Sequence, residues 1–240
     1  MTDLAKEFAP AGRLRASLNM GNPVLAHSHI APEKPAGVTI DLSREFAREL
    51  GVAVDFLQFD TAAQSVAALA SGEADIGFMA IDPLRAQTNH FTPAYVQIEG
   101  YYLVREGSTI QTNADVDRAG TRIVMGAGSA YGLYLQRHIQ HATLVQVPTS
   151  EAVVDAMLKD GLDVASGVKQ GLEADAHRVG GLRLLGERFM VINQAMAMPK
   201  ARSAAAAAFL DDFVARMKRG GFVAASLARH AIVGATVADN

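Results

Sequence analysis

Apolar residues along this chain keep two periods, and the switches between them mark out its elements. Residues 13–18 alternate weakly and read as a first strand, ending in the turn-rich segment 19–23. Leu42, Phe46 and Leu50 then recur every four residues, one face of an amphipathic helix, and Gly51 stands where such a helix ends. Residues 52–59 (VAVDFLQF) return to a period of two, the mark of a half-buried strand. A helix over about 62–71 presents Val66 and Leu69 and stops at Ser71 and Gly72. The run from Ile76 to Ile81 is apolar and short enough for a fully buried strand. Asp82 followed by Pro83 predicts a helix start, with an acceptor at the cap and Pro in first position, so that Arg85 falls in the first turn. The first hundred residues thus alternate strand and helix, which argues for a mostly parallel sheet covered by helices.

The second half repeats the scheme. Residues 98–105 form a strand pattern, 106–109 a break, and 122–125 (RIVM) a short strand. Gly126-Ala-Gly-Ser129 follows, then a helical pattern through Tyr131, Leu135, His138 and Ile139 for which Ser129 is a fair cap. Residues 144–147 predict a strand, and a helix from the 148–151 segment to about Lys159 turns Val153, Met157 and Leu158 inward. Asp160-Gly-Leu-Asp163 mirrors Gly72-Glu-Ala-Asp75: helix end, glycine, strand start. Short strands over 182–198, an Ala-rich helix over 203–219, a break at Gly220-Gly221 and a last helix to about His230 complete the chain.

A strand leading into a capped helix with an arginine in its first turn suits capture of a small carboxylate. The guanidinium offers a fixed two-pronged donor beside free helix N–H groups. On that stretch alone, a solvated helix arginine is the stronger reading. His27 and His29, two apart in a polar loop over 26–37, lack a partner motif for a metal and read as solvated histidines. Gly-Ala-Gly-Ser lacks the third glycine of a dinucleotide fingerprint. No nucleophile triad or carboxylate pair is recognisable, and no cofactor or metal is expected.

Composition narrows the field. At 240 residues the chain can bury a real core as one large domain or two small ones. A net charge of −3 with no basic stripe gives nucleic acid nothing to hold, and no apolar stretch nears the length of a membrane span. With no cysteine, disulfides and thiol catalysis are excluded. Residues 1–17 carry acids where an export signal is basic, and no apolar run follows. The sequence as written therefore points to the cytoplasm, and to the periplasm if the start is mis-assigned or the form is mature.

Four segments occur in order: GVTIDL (37–42), GEADI (72–76), DPLR (82–85) and FTPAY (91–95). They resemble the GFDVDL, GxxDh, TPER and FSxPY motifs of solute-binding proteins of the amino-acid ABC-transporter type, bacterial extracellular family 3. Residues 115–120 and the 126–129 turn are similar to that family's next two segments, and the resemblance covers about residues 13 to 232. It implies a two-lobed α/β fold of the type II periplasmic-binding-protein kind. Lobe 1 would be 1–104 plus 196–240 and lobe 2 would be 105–195, joined by two crossover strands with the ligand in the cleft between them. It implies non-catalytic binding of a small carboxylate-bearing solute, an amino acid or related organic acid, for uptake through an ABC-transporter permease. The implied ligand residues are Arg85 for the carboxylate, Asn19 and Asn22 in the first turn, Phe78, Met79 and Ala80 on the strand before Arg85, and Gly128, Ser129 and Ala130 at the second-lobe turn.

Three departures bear on the ligand. The Asp that pairs an amino acid's ammonium in the family falls here on Val168, and an apolar residue cannot pair a cation. Phe78 and Ala80 stand where serines usually precede the arginine. Glu99 replaces a small residue at the first crossover and reads equally as a substitute cation partner or an exposed strand charge. Cyclohexadienyl dehydratases resemble the same binders, but their catalytic Glu position falls near Gly171 with Glu173 beside it, so that match fails. A ligand-sensing domain acting through a partner, as in LysR-type regulators, is the other alternative.

Overall fold

The computed structural model describes residues 2–27 and 34–239, and the chain divides into unit 1 (residues 1–97 and 193–240) and unit 2 (98–192). Unit 1 opens with a helix that the hydrophobic pattern does not announce, α1 (Asp3–Phe8), capped by the Thr2 hydroxyl accepting from the Ala5 N–H at 3.2 Å. Its Phe8 is fully buried edge-on against Phe46, ring centroids 4.9 Å apart. Strand β1 (Arg13–Asn19) follows, then α2 (Val38–Leu50), whose buried face carries Leu42, Phe46 and Leu50. Gly51 closes α2 in the left-handed region (φ 70°), where a side chain would be strained. Strand β2 (Ala53–Phe59) runs parallel to β1 along its whole length. Helix α3 (Ala62–Ala70) starts in a capping box of Thr61 and Gln64. Strand β3 (Ile76–Ala80), buried throughout, lies on the other side of β1, also parallel. The short β4 (Asn89–Phe91) leads to β5 (Val96–Arg105), which carries the chain into unit 2.

Unit 2 continues with β6 (Arg122–Gly126), α4 (Ala130–His138), β7 (Thr143–Val147), α5 (Ala152–Lys159), β8 (Val164–Val168) and α6 (Lys169–Val179). Strand β6 is central, parallel to β7 on one side and β8 on the other, while β5 pairs antiparallel with β8 and with β9 (Leu182–Leu184). One face packs Tyr102, Ile123, Met125 and Leu135 with α4; the other packs Val124, Val153, Met157 and Leu172 with α5 and α6. Helix α6 has a single buried residue, Leu172, so its sequence carries almost no helical period. Strand β10 (Met190–Pro199) returns the chain to unit 1, antiparallel to β3 and β4. Helix α7 (Ala204–Arg219), α8 (Phe222–Arg229) and β11 (Thr236–Val237), paired with the start of β5, finish unit 1. Glu7 of α1 accepts from the Ser203 N–H at 2.6 Å and from its hydroxyl at 2.8 Å, next to the first turn of α7. That backbone hydrogen bond holds the Glu7 carboxyl below its ordinary range.

The loop read over 26–37 lies partly outside the described residues, His29 included. His27 forms a backbone bridge with Ala36, its ring edge-on to His230 at 5.8 Å. Among the described residues no group of three His, Asp or Glu is placed to hold a metal ion, and no helix is long and apolar enough to cross a membrane.

The two glycine–aspartate strand starts prove to be one device used twice. Asp75 accepts from the Arg15 N–H (2.9 Å), Nε (3.0 Å) and Nη2 (2.8 Å), and donates its own N–H to the Arg15 carbonyl. Asp163 accepts from the Arg122 N–H (2.8 Å) and Nε (3.1 Å), again with its N–H on the arginine's carbonyl. The two differ in depth. The Asp75 side chain is 2% exposed and also faces Arg202, whereas Asp163 is 37% exposed. Removing Asp75 therefore strands two half-buried cations, Arg15 and Arg202, and Asp75→Ala is expected to lower stability by about 3 kcal/mol. Asp163→Ala is expected to cost about 1 kcal/mol, at the upper end for exposed pairs. Equal losses in urea unfolding would show that burial does not govern the clamp.

Candidate ligand-binding site

In unit 1 the candidate residues gather at the carboxyl ends of β1 and β3, where ligands sit in open parallel sheets. The β1–β3 register pairs Ala16 with Ile76 and Ser17 with Gly77, so the end of β1 at Asn19 comes level with the end of β3. Asn19 Oδ1 accepts from the Gly21 N–H at 3.2 Å, shaping the turn. Asn22 Oδ1 is buried with no hydrogen-bond partner among the described residues, an acceptor held away from water. Phe78, Met79 and Ala80 are all buried, Phe78 edge-on to Tyr95 at 6.0 Å.

Arg85 departs from the sequence expectation. Asp82 and Pro83 do not start an α-helix: Asp82 Oδ1 accepts from the Leu84 N–H at 2.9 Å, its carbonyl accepts from the Ala86 N–H, and only a 3-10 turn over Arg85–Gln87 follows. The reason lies just downstream. Asn89 donates from Nδ2 to the Arg85 carbonyl, and β4 pairs with β10, so the backbone leaves helical geometry within one turn. Arg85 is consequently not a solvated helix residue but a buried one, 6% exposed, with Nη1 donating to the Ala80 carbonyl at 3.2 Å. Burial pushes its guanidinium below the ordinary value, with Asp82 opposing the shift; an arginine stays charged regardless. Around it Ile81 and Leu84 are exposed, setting apolar surface beside a fixed cation.

In unit 2, Gly126 and the 127–129 turn lead from β6 into α4. Gly128 takes φ 61°, a conformation that favours glycine. Ser129 is the cap expected, and this settles what its hydroxyl can do. Oγ accepts from the Gly132 N–H at 3.0 Å and gives its one hydrogen to the Gly126 carbonyl at 2.8 Å. The one hydrogen of the Ser129 hydroxyl is therefore committed within the turn. Helix geometry leaves the Ala130 and Tyr131 N–H groups outside the intrahelical ladder. The Tyr131 hydroxyl, pushed up by burial, donates to Ser150 at 2.9 Å and buttresses the turn.

Val168 ends β8 opposite Gly100 of β5 and brings no charge there. Glu99 is bound to Arg188, Nη1 to Oε1 at 2.6 Å, with 27% of its side chain exposed. A carboxylate so paired is a poor substitute partner for a ligand ammonium. Sequence reasoning passed over Arg188, whose link to Glu99 spans 89 residues, and over Lys169, the immediate neighbour of Val168, which was legible. The structure thus brings Arg85 and Ala80 into contact within unit 1 and Ser129 with Ala130 at one helix start within unit 2.

Each unit is thus an α/β layer whose candidate residues lie at the carboxyl ends of its parallel strands. The pattern for bacterial extracellular solute-binding proteins, family 3, matches residues 23–231, and the chain belongs to that family. No curated protein matches it. Solved structures similar to it include the amino acid ABC-transporter substrate-binding protein AbpA from Streptococcus pneumoniae bound to L-arginine, at 18% identity and TM-score 0.78 over 94% of this chain and 97% of that one. A putative ABC-transporter binding component from Wolinella succinogenes complexed with lysine shares 21% identity at TM-score 0.76, over 91% and 95% of the two chains. A histidine kinase sensor domain, 19% identical, gives 0.77 over 94% and 97%. These likenesses show the type II periplasmic-binding-protein fold.

Proposed function

We propose that this protein binds a small carboxylate-bearing solute, an amino acid or related organic acid, without transforming it. The observation that carries the reading is Arg85: a buried guanidinium fixed at the end of β3 by the Ala80 carbonyl, beside apolar surface. Such a group loses little freedom on meeting a carboxylate, so most of the charge-assisted contact appears as affinity. In unit 2 the Gly128–Ala130 turn offers N–H groups to an anion. Uptake with an ABC-transporter permease is the role of the arginine-bound neighbour's class, and sensing through a partner is supported by the sensor-domain likeness. Val168 and the engagement of Glu99 by Arg188 favour a ligand without an α-ammonium.

Calorimetric titration with amino acids and the keto and hydroxy acids of the same side chains tests this. Arg85→Ala is expected to weaken binding by a factor of tens to thousands, equivalent to roughly 2–5 kcal/mol. Because Arg85 is buried, the variant also loses stability, and titration must be made where circular dichroism shows it folded. Undiminished affinity in the folded variant removes Arg85 from the site. The keto or hydroxy acid should bind at least as tightly as its amino acid; a clear preference for the amino acid restores Glu99 as a cation partner.

Absence of turnover is a separate expectation. The dehydratase-like acid position falls near Gly171, an exposed α6 residue, with Glu173 two residues along and not in register with it. Prephenate and arogenate incubated with the protein should remain intact, and steady formation of phenylpyruvate or phenylalanine would make it an enzyme.

A further inference from the structure

One acceptor at the carboxyl end of the unit 1 sheet lacks a donor. Asn22 Oδ1 is buried from solvent and unpartnered among the described residues. The turn that carries it is held from both sides. The Met20 N–H donates to the Phe59 carbonyl at 2.8 Å, and the Leu25 and Ala26 N–H groups donate to the Asn22 carbonyl at 3.1 and 3.2 Å. Gly21 packs so closely on the end of β2 that a Cβ there would stand 2.4 Å from the Asp60 carbonyl oxygen. The same turn neighbours Arg85. Register along β1 and β3 pairs Ser17 with Gly77, which sets Asn19 level with Met79. Asn22 donates its N–H back to the Asn19 carbonyl at 3.4 Å, and Arg85 Nη1 donates to the carbonyl of Ala80, one residue beyond Met79. Both anchors belong to unit 1, on adjacent strands about 5 Å apart. Phe78, Met79 and Ala80 between them bring no side-chain donor. A buried acceptor left without a donor is costly, so a site that keeps one is built to receive a donor from outside the chain.

We propose that Asn22 Oδ1 accepts from a hydroxyl of the ligand, so that the preferred solute is a small hydroxy acid whose hydroxyl stands one or two carbons from its carboxylate. This rests on the carboxylate reading above, with Arg85 holding the carboxylate. The closeness of the two anchors suits groups that are neighbours on a short carbon chain. A keto oxygen in the hydroxyl's place would set acceptor against acceptor, and an unsubstituted acid would leave Asn22 buried without a donor. An ammonium offers donors, but it brings a second cation beside Arg85 with only a neutral amide to meet it.

The test is calorimetric titration of the intact chain with the 2-hydroxy, 3-hydroxy, 2-oxo, 2-amino and unsubstituted acids built on butanoate, 4-methylpentanoate and 3-phenylpropanoate. On the skeleton that binds best, a hydroxy acid should exceed its unsubstituted and oxo counterparts about tenfold or more in affinity. Asn22→Leu, which keeps the volume and removes the acceptor, should bring the ratio of hydroxy to unsubstituted acid towards one. Asn22→Asp, which keeps the shape and adds a charge, should shift the preference from the hydroxy acid towards the amino acid, and it carries the comparison where circular dichroism shows Asn22→Leu unfolded. Equal binding of hydroxy and unsubstituted acids by the wild-type protein, tighter binding of the oxo or amino acid, or unchanged preferences in a folded Asn22 variant overturns this inference while leaving the carboxylate reading in place. Binding of none of these acids, by a protein shown to be folded, overturns both.

Discussion

Everything at the candidate site depends on how the parallel strands are set against one another. A hairpin fixes register through its turn, but parallel strands are joined by crossovers that fix nothing so directly. Here an aspartate at the start of one strand grips both the backbone N–H and the guanidinium of an arginine on its neighbour, Asp75 on Arg15 in unit 1 and Asp163 on Arg122 in unit 2. A slip by one residue would break several charge-assisted bonds and turn every side chain to the wrong face. With register pinned at the amino ends, the carboxyl ends fall level, and the segments that follow them emerge side by side. Asn19 and Arg85 in unit 1, and the Gly128 turn and Lys169 in unit 2, owe their places to that alignment.

The charges at those carboxyl ends are held and not merely present. Arg85 is buried, yet its guanidinium is tied to a backbone carbonyl and its charge is supported by Asp82, so it stays cationic. In unit 2 the Ser129 hydroxyl is committed to the cap, which stiffens the turn; in the proposed function any anion there meets backbone N–H groups. A site assembled from pre-positioned donors loses less entropy on binding than one of free side chains.

Much of this was legible in the residues. The periods of two and four located β2 and α2; Gly51 marked the end of α2 and Ser129 the start of α4; and the repeated glycine–aspartate segments announced two like units before any contact was known. What escaped did so for identifiable reasons. Helices α1 and α6 bury few residues and carry little period, and β4 and β11 are too short to show one. The local signals at Asp82 and Pro83 were sound, since the cap forms, but pairing of β4 with β10 ends the helix after a turn and buries Arg85. Cross-chain pairing hid the state of Glu99, whose partner Arg188 no local pattern could supply.

The account turns on the ligand carrying a carboxylate, and the most direct measurement is to identify what the protein retains. Protein purified without added ligand, then denatured and filtered, releases its bound small molecules for mass spectrometry against a heat-treated buffer control. The account predicts one principal compound, near stoichiometric, bearing at least one carboxylate. A retained neutral sugar, a polyamine or any other compound without a carboxylate would contradict it.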